Sequence, residues 1–585
     1  MDSLVVIIYL AAMVGFGIWG RFKAKDQDDF LVAGRRLGGL LYTGTMSAVV
    51  LGGASTIGGV GLGYTAGLSG MWLVLSIGMG IIVLSLFFAP KIQRLEIYTV
   101  SQMLELRYGK GSRLVSGTIM TAYGLMISTT STVAYATVFH ALFDLDKFWS
   151  VIIGGGIVIT YSMLGGMWSI TLTDFVQFLI QTVGIFLLML PLVINRAGGL
   201  TELFSSLPAE ATSPVGIGWQ AILSYILIYT LGLLIGQDIW QRVFTARSPG
   251  VARWGGLSAG VYCLLYAVAG ALIGMAATRI VPGIDVADDV FVAVVDASMS
   301  PVLAGFVLAA ALAAMMSTAS GSLMAASTVC RQDIVEPLLA KRDIMPVTSD
   351  EELAAGTRTD GSGGAKTALT RSLVRETGDE IRDSRIYLIG LGIVTLALAL
   401  IMPSVVEALT VAYNLLVAGL FIPILGGLVF RRGTIVGVMA GMILGSVTTI
   451  VVMITLGIYS NEAIYLGLLA SLLGYVAGSL VSKPTPPEIM AEWRERLSRR
   501  CSVPAGAASL RPGDLPHRVG AEEPGGDPCA DPLLLGRGER GDIADEGNVV
   551  ADESADLHGT DRIRVGRGVR VALGAVDGLP VLLVD

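Results

Sequence analysis

The chain has 585 residues, of which 53% are hydrophobic and 15% charged, and its mean hydropathy is +0.70. A water-soluble globular protein of this length cannot bury so many apolar side chains. The formal net charge of −7 owes much to an acidic C-terminal region and gives no indication of a nucleic-acid partner. We therefore expect an all-α integral membrane protein whose main environment is the lipid bilayer.

Apolar stretches long enough to cross a bilayer as helices recur along most of the chain. We predict about thirteen transmembrane helices, at residues 3–19, 38–66, 69–90, 114–141, 148–166, 167–194, 217–240, 254–278, 301–328, 386–403, 405–430, 433–457 and 461–482.

Basic residues predict the orientation of these helices. Many of them fall in one set of loops, whereas the opposite loops hold only Lys147, Arg196 and Arg279. The positive-inside bias then places the N-terminus outside and, after an odd number of spans, the C-terminus in the cytoplasm. We expect a multi-pass protein of the cell (plasma) membrane.

Two segments lack the pattern of a membrane helix. Residues 340–384 are rich in Thr, Gly, Ser, Asp and Arg, which predicts a disordered cytoplasmic loop. The composition changes near Lys483, and beyond Trp493 the sequence is rich in Gly, Asp, Arg and Pro without helical periodicity, which predicts a disordered cytoplasmic tail at 483–585. The transmembrane domain should therefore occupy residues 1–482.

Two glycine-interrupted spans divide the middle of the chain into halves. The run LGGASTIGGVGLG, Leu51 to Gly63, has six glycines in thirteen residues, and LGLLIGQDIWQR, Leu231 to Arg242, is interrupted in the same way. Each interior glycine weakens a helix by about 1 kcal/mol relative to alanine, so both helices should break. Such breaks at matching positions of inverted repeats indicate a transporter's binding site. The repeats would span about 38–194 and 217–457, and glycine used only for close packing is the alternative.

A third segment combines small apolar residues with hydroxyls. It reads LAAALAAMMSTASGSLMAASTVCRQDI, from Leu308 to Ile334. Ser317 and Ser320 share one helix face, with Thr318 beside them. Their oxygens are suitable ligands for a small hard cation. The alternative is tight helix packing, with each hydroxyl bonded to its own backbone.

Few ionisable residues lie inside the predicted spans. Asp174 lies about two turns, or about 10 Å, from the cytoplasmic end of its span. An unpaired carboxylate there is costly, and a bound cation would keep it ionised. A structural hydrogen bond or a position at the membrane surface is the alternative. Asp238 and Arg242, spaced i and i+4, are expected to pair at the end of a span.

Five segments in order resemble the sodium:solute symporter family, over about residues 3–495. They are DFLVAGRRLGG (Asp29 to Gly39), ASTIGG (Ala54 to Gly59), YTVSQMLELRYG (Tyr98 to Gly109), GGMWSITLTDFVQ (Gly165 to Gln177) and AAMMSTASGSLMAASTVCRQDI (Ala313 to Ile334). The resemblance implies the LeuT-type fold, two inverted five-helix repeats. It also implies sodium-coupled symport of a small organic solute by alternating access. No enzyme activity is expected, and no cofactor apart from Na⁺ as the coupling ion.

The resemblance also assigns residues to sites. Sodium would be bound by the carbonyls of Ala54, Ile57 and Ala314 and the hydroxyls of Ser317 and Thr318. A second site, for sodium or a proton, would use Asp174 and Ser320, although Gly321 stands where another hydroxyl is expected. Solute contacts are expected at Gly58, Gly59, Tyr135, Gln237, Tyr413 and Asn414.

Several questions stay open at this point. Proline carriers of the family have an aspartate just before the second carbonyl ligand, where this chain has Thr56. The solute is therefore not identified by the resemblance. Coupling to protons through Asp174 is the first alternative to sodium coupling. A transporter-like membrane sensor is a second alternative, and a membrane enzyme is a weaker one, since the three histidines form no metal-ligand cluster and no nucleotide-binding loop is visible.

Overall fold

The part of the chain that the computed structural model describes is almost entirely helical, and comprises residues 2–343, 377–430, 432–498, 571–576 and 579–584. The N-terminal half contains α1 (Asp2–Lys23), α2 (Gln27–Val32), a 3-10 turn (Ala33–Arg35), α3 (Gly39–Val50), a π-helical turn (Ala54–Gly58), α4 (Gly59–Ala66), a 3-10 turn (Gly67–Met71), α5 (Trp72–Val83), a π-helical turn (Leu84–Phe88), α6 (Ala89–Gln93), α7 (Val100–Tyr108), α8 (Ser112–Phe143), α9 (Lys147–Gln181), a π-helical segment (Thr182–Met189), α10 (Leu190–Arg196), α11 (Leu200–Ser206) and α12 (Ala209–Thr212).

The C-terminal half is also helical, apart from one short hairpin. It contains α13 (Trp219–Tyr225), a π-helical turn (Ile226–Thr230), α14 (Leu231–Leu233), α15 (Gln237–Thr245), α16 (Pro249–Ile280), a 3-10 turn (Ala287–Asp289), α17 (Val290–Ser298), α18 (Pro301–Val329), a π-helical turn (Cys330–Val335), α19 (Glu336–Asp343), α20 (Thr377–Ile401), α21 (Val405–Leu416), a π-helical turn (Val417–Phe421), α22 (Ile422–Val429), α23 (Ile435–Leu456), α24 (Glu462–Val481) and α25 (Pro487–Ser498). The antiparallel strands β1 (Val571–Val576) and β2 (Leu579–Val584) belong to a separate compact unit, residues 531–585.

The predicted count of thirteen spans is not confirmed. Among the described residues, ten helical runs are long and apolar enough to cross a membrane, or eleven if the pair Trp219–Leu233 and Gln237–Thr245, bent by 43°, forms one span. Two of the runs, Ala54–Gln93 and Lys147–Arg196, have 40 and 50 residues. Each therefore covers two of the segments that the sequence separated.

The longer of these runs folds back on itself at a glycine. Gly166 has φ 55° and ψ −138°, which is not a helical conformation. The hydroxyl of Ser169 donates a hydrogen bond to the carbonyl of Tyr161 at 3.0 Å. In a straight helix two residues eight apart are separated by about 12 Å, so the chain must turn between them. Glycine is needed at the turn because a side chain there would lie 2.5 Å from the carbonyl oxygen of Phe30.

Helix α18 is the most enclosed of the candidate spans, with 83% of its most apolar window buried. Every residue of this helix from Val307 to Val329 is buried. Alanine, serine and glycine make up much of its sequence, and such small residues let neighbouring backbones approach closely. It packs against α1, α3, α8 and α9. By contrast, α23 and α24 present large apolar side chains outward, such as Ile454 and Leu473, as helices facing lipid do.

The two predicted helix breaks are both present. The first lies at Leu51 and Gly52, between α3 and the π-helical turn, and the second separates α14 from α15 at residues 234–236. Both breaks lie in apolar surroundings, where an interrupted helix leaves polar backbone groups without partners. The breaks therefore identify the two places where side chains must satisfy the backbone.

The predicted disordered loop and tail lie largely outside the described residues. Where the structure describes these segments, α20 begins at Thr377, α25 occupies Pro487–Ser498, and β1 and β2 lie in the predicted tail. Helix α25 packs against α7, and its Trp493 is 3% exposed. The signal was the apolar face formed by Ile489, Met490 and Trp493, which lie at helical spacing.

Gly166→Ala should destabilise the fold, because its conformation is confined to glycine and its added methyl group would collide with the backbone of Phe30. We expect a loss of about 2 kcal/mol or more, measured as a lower apparent Tm in detergent. The control is Gly156→Ala in the same helix, where no atom lies within 4 Å of the added carbon. Equal stability of the two variants would show that the chain does not turn at Gly166.

Candidate cation site and central cavity

The break in the first core helix exposes a set of backbone carbonyls. Helix α3 ends at Val50, so the carbonyls of its last four residues, Ser47–Val50, have no partner within the helix. Leu51 leaves the helical conformation, with φ −91° and ψ 62°. Gly52 comes close to α18: a side chain there would lie 2.5 Å from Thr318 Oγ1. The break therefore places free carbonyls directly against α18.

Hydroxyls of α18 meet these carbonyls. Ser317 Oγ lies 2.8 Å from the carbonyl oxygen of Ala48 and 2.8 Å from that of Ala314. Thr318 Oγ1 lies 2.7 Å from the carbonyl oxygen of Val49 and 3.5 Å from that of Ala314. All five residues are buried. Five oxygens, two from hydroxyls and three from carbonyls, thus converge between the broken helix and α18.

Two of the sequence-assigned ligands need correction. The structure brings Ala314, Ser317 and Thr318 together as expected, but with the carbonyls of Ala48 and Val49 instead of those of Ala54 and Ile57. The physical reason is the position of the break. Ala54 and Ile57 follow it, inside a new helical turn whose carbonyls serve that turn, whereas the unpaired carbonyls belong to the helix that ends before it.

Asp174 forms a buried ion pair that the sequence did not predict. Its Oδ2 lies 3.0 Å from Nη2 of Arg242, and both side chains are fully buried. Thr45 donates a hydrogen bond to the same Oδ2 at 2.5 Å and accepts one from Arg242 Nε at 3.2 Å. Gly321 provides space for the guanidinium, because a side chain there would lie 2.6 Å from Nη2.

This ion pair changes two expectations. Arg242 does not pair with Asp238 at the end of a span but with Asp174 in the interior. Ser320 donates its hydroxyl to the carbonyl of Ser317 at 3.0 Å and makes no hydrogen bond with Asp174. The guanidinium supplies the positive charge that the sequence analysis assigned to a second ion. The other carboxylate oxygen, Asp174 Oδ1, is buried and has no hydrogen-bond partner among the described residues.

A small cavity adjoins the five oxygens. Its volume is about 20 Å³, room for about one water molecule. The walls come from both breaks and from α8 and α21, and they include Val49, Gly52, Ser131, Asp238, Thr318 and Tyr413. Asp238 is the second residue of α15, directly after the second break. The cavity therefore joins the two interrupted helices.

Of the residues expected to bind solute, Tyr413 lines this cavity. Gln237 instead holds the loop before α7: its Oε1 accepts from the backbone N–H of Val100, and its Nε2 donates to the carbonyl of Tyr98, both at 2.8 Å. Both ends of its amide are thus used within the fold. The backbone of Tyr98 and Val100 therefore binds the Gln237 side chain in place of a solute.

The remaining four expected solute residues have packing roles. The hydroxyl of Tyr135 donates to Thr132 Oγ1 at 3.1 Å, and Nδ2 of Asn414 points at the sulfur of Met453 at 3.9 Å. Gly58 and Gly59 face apolar side chains, those of Val406 and Val74. Asp238, expected to pair with Arg242, lines the cavity instead, and its position directly after a glycine break was a usable signal.

Arg242→Gln should strongly destabilise the protein, because it leaves the Asp174 carboxylate buried without a counter-charge. We expect a loss of about 3–5 kcal/mol, seen as a lower apparent Tm, and partial recovery in the double variant Asp174→Asn with Arg242→Gln. The matched control is Arg279→Gln, which breaks an exposed pair with Glu202 and should cost about 1 kcal/mol or less. Lack of recovery in the double variant would argue against direct pairing.

Comparison with known proteins gives a consistent result. The sequence profile of the sodium:solute symporter family matches residues 30–344, more than half of the chain. The osmoregulated proline transporter OpuE of Bacillus subtilis (strain 168) is 24% identical over 521 residues, covering 84% of this chain and 98% of that protein. A sodium/proline symporter of Staphylococcus aureus (strain JH9) is 26% identical over 353 residues, covering 56% and 67%.

Solved structures with the same fold include two transporters. A Na⁺-coupled sialic acid symporter in a substrate-bound outward-open state has a TM-score of 0.66 at 17% identity, covering 83% of this chain and 98% of that chain. Mhp1, a nucleobase-cation-symport-1 family transporter, has a TM-score of 0.50 at 13% identity, covering 80% and 98%. The all-helical fold is the LeuT-type arrangement expected from the sequence, and the chain is a multi-pass membrane transport protein that belongs to the sodium:solute symporter family.

Proposed function

We propose that this protein is a sodium-coupled symporter that imports a small organic solute by alternating access. The observation that carries the proposal is the convergence of five oxygens between the broken helix and α18. Carbonyl and hydroxyl oxygens are the ligands that replace the hydration shell of a small hard cation. The proposed ligands of Na⁺ are the carbonyls of Ala48, Val49 and Ala314 and the hydroxyls of Ser317 and Thr318.

Binding of Na⁺ at this position would join two helices that belong to different repeats. Without the ion, α3 and α18 are connected through hydroxyl-to-carbonyl hydrogen bonds. With it, the same oxygens turn toward one positive charge and fix the distance between the helices. The end of the broken helix, which also lines the cavity, thereby becomes ordered. Bound sodium then raises the affinity for solute, and bound solute raises the affinity for sodium by the same factor.

The membrane supplies enough energy for accumulation by one ion. At 100 mV, one elementary charge is worth about 2.3 kcal/mol. A tenfold sodium gradient contributes about 1.4 kcal/mol more, so one Na⁺ supports roughly 500-fold accumulation of a solute without net charge. We propose one sodium ion per cycle, since the Asp174 carboxylate already has the Arg242 guanidinium as its partner. The same pairing leaves Asp174 without an evident part in proton coupling.

The solute itself is proposed only as a small organic molecule. Proline is the solute named for two relatives, and their identity to this chain is 24% and 26%. The segment from Gly39 to Gln93, which contains the first break, has no acidic residue. The carboxylate that the resemblance associates with proline carriers is therefore absent from this helix at any register, and the solute need not be proline.

We also propose that the N-terminus lies outside and the C-terminus in the cytoplasm of the cell membrane, as the distribution of basic residues predicts. Fusion of a fluorescent protein that matures only in the cytoplasm, placed after Ser498, should give fluorescent cells. Alkaline phosphatase, which is active only outside, should be inactive at the same point. An active phosphatase fusion would reverse the orientation.

The double variant Ser317→Ala with Thr318→Ala should lose sodium affinity by about tenfold or more, since it removes two ligands of a cation. The measurement is the rise in Tm of the detergent-purified protein in sodium relative to equimolar potassium. At ten times its dissociation constant the ion should stabilise the native protein by about 1.4 kcal/mol.

The matched control for this test is Ser327→Ala. Ser327 is a buried hydroxyl of the same helix, bonded to the carbonyl of Met324 at 2.9 Å. Its loss should leave the sodium response unchanged. An unchanged sodium affinity in the double variant would reject the site, and a rise in Tm with falling pH in the absence of sodium would favour proton coupling.

A further inference from the structure

One carboxylate in the central cavity has no ion-pair partner among the described residues. Asp238 is 3% exposed, and Tyr123 donates a hydrogen bond to its Oδ1 at 3.0 Å. Among the described residues no basic side chain lies within 4.0 Å of it, because Arg242, one turn further along α15, is paired with Asp174. An ionised group in apolar surroundings is stable only when opposite charge or several donors face it.

The position of Asp238 favours a ligand as its partner. The backbone N–H groups of Asp238 and Ile239, at the start of α15, donate to this carboxylate and partly compensate its charge. This accounts for an acidic residue at the helix start but not for its place in the wall of a cavity that Thr318 and Gly52 also line. Among the described residues that form this cavity, Asp238 is the one with a charged side chain.

The surroundings of this carboxylate are aromatic. The rings of Tyr123 and Tyr413 meet edge to face, 5.4 Å apart at 77°, and Tyr229 meets Tyr413 at the same distance and 74°. Aromatic faces attract positively charged nitrogen, particularly where water is excluded. A carboxylate beside a cluster of three tyrosines is thus an arrangement suited to an ammonium group.

The other walls argue against different solute classes. Aliphatic side chains, among them Val50, Ile77 and Leu409, form about half of the lining, and the hydroxyl-bearing residues Ser55, Thr130, Ser131 and Thr318 also belong to it. These hydroxyls would pair with some of the hydroxyls of a sugar or polyol, but such a solute brings no positive charge to Asp238. A monocarboxylate without an amine would be repelled by Asp238. A small solute with a charged nitrogen satisfies the acidic residue and places its carbon skeleton on the aliphatic side.

We infer that the solute carries a positively charged nitrogen, as an amino or imino acid, a betaine or an organic amine does, and that Asp238 is its counter-ion in the central cavity. This rests on the proposed function, because it assumes that the cavity beside the five oxygens is the solute site. Asp238 then determines specificity through charge, while the sodium ligands stay separate on the side of Thr318.

The test compares pairs of solutes that differ in one charged atom. The pairs are glycine betaine with 3,3-dimethylbutanoate, choline with 3,3-dimethylbutan-1-ol, and L-proline with tetrahydrofuran-2-carboxylate, tested beside the other common amino acids and a set of sugars. Binding to the full-length protein is read as the rise in Tm in sodium. We expect at least one nitrogen-bearing solute to bind about tenfold or more tightly than its counterpart without the charged nitrogen. Binding of choline would indicate a cation, and binding of betaine or an amino acid without choline a zwitterion.

Variants of one residue then locate the preference. Asp238→Asn should reduce the preference for charged nitrogen to less than about threefold, while Asp238→Glu, which keeps the charge, should retain part of it. The matched control is Glu202→Gln, an exposed carboxylate on α11, which should behave as the unmodified protein does. A role of Asp238 in stability alone would weaken both members of a pair equally and leave their ratio unchanged.

The outcomes separate the inference from the proposed function. A Tm shift with sodium, together with binding only of solutes that lack a charged nitrogen, overturns the inference and leaves sodium coupling intact. A preference retained in Asp238→Asn overturns it as well, and so does the failure of every nitrogen-bearing solute to bind. Equal binding of a nitrogen-bearing solute in sodium and potassium, lost in Asp238→Asn, supports the inference and contradicts sodium coupling.

Discussion

The interruption of the first core helix at Leu51 and Gly52 is the constraint on which the rest of the structure depends. A helix that ends inside a membrane leaves carbonyls that water cannot reach, and each unsatisfied group costs several kcal/mol. Here the hydroxyls of Ser317 and Thr318 satisfy two of them. That contact requires the backbones of α3 and α18 to lie close together, which explains glycine at position 52 and the small residues along α18. A group of oxygens able to bind a cation is thus a direct consequence of breaking the helix.

The same helix is held on its other side by charge. Thr45, one turn before Ala48, bonds both members of the Asp174–Arg242 pair. Helix α3 therefore contacts the buried polar groups of α9, α15 and α18 within a few residues. A buried ion pair contributes little net stability, but the loss of one partner is severe, so such a pair fixes which helices lie together more than how strongly they are held. The ion pair therefore fixes the position of α3 at Thr45, one turn before the carbonyls of Ala48 and Val49.

The sequence predicted the features that depend on local composition. Bilayer spans, the two breaks and the hydroxyl-rich helix follow from apolar length, glycine content and Ser/Thr content, and all three are present. The register of the carbonyls was not predictable, because the run from Leu51 to Gly63 offers several glycines at which a helix can end, and packing against Thr318 selects one. The i, i+4 spacing along one helix predicted that Asp238 pairs with Arg242. In the structure Arg242 pairs instead with Asp174, which belongs to another helix. The glycine turns at Gly67 and Gly166, by contrast, lie where the predicted spans 38–66 and 148–166 end.

The arrangement of the two ligand sites has a consequence for coupling. A cavity of about 20 Å³ is too small for any organic solute, so its walls must separate when solute enters. Thr318 and Gly52 form the wall next to the proposed ion, and an ion bound there resists their separation. Tyr413 and Leu409, on α21, also line the cavity and supply none of the five oxygens. Opening is therefore expected by displacement of α21, with the ion holding α3 against α18 throughout. Solute then binds against the wall formed by α3 and α18, which the ion holds in place. The affinity for solute therefore depends on sodium.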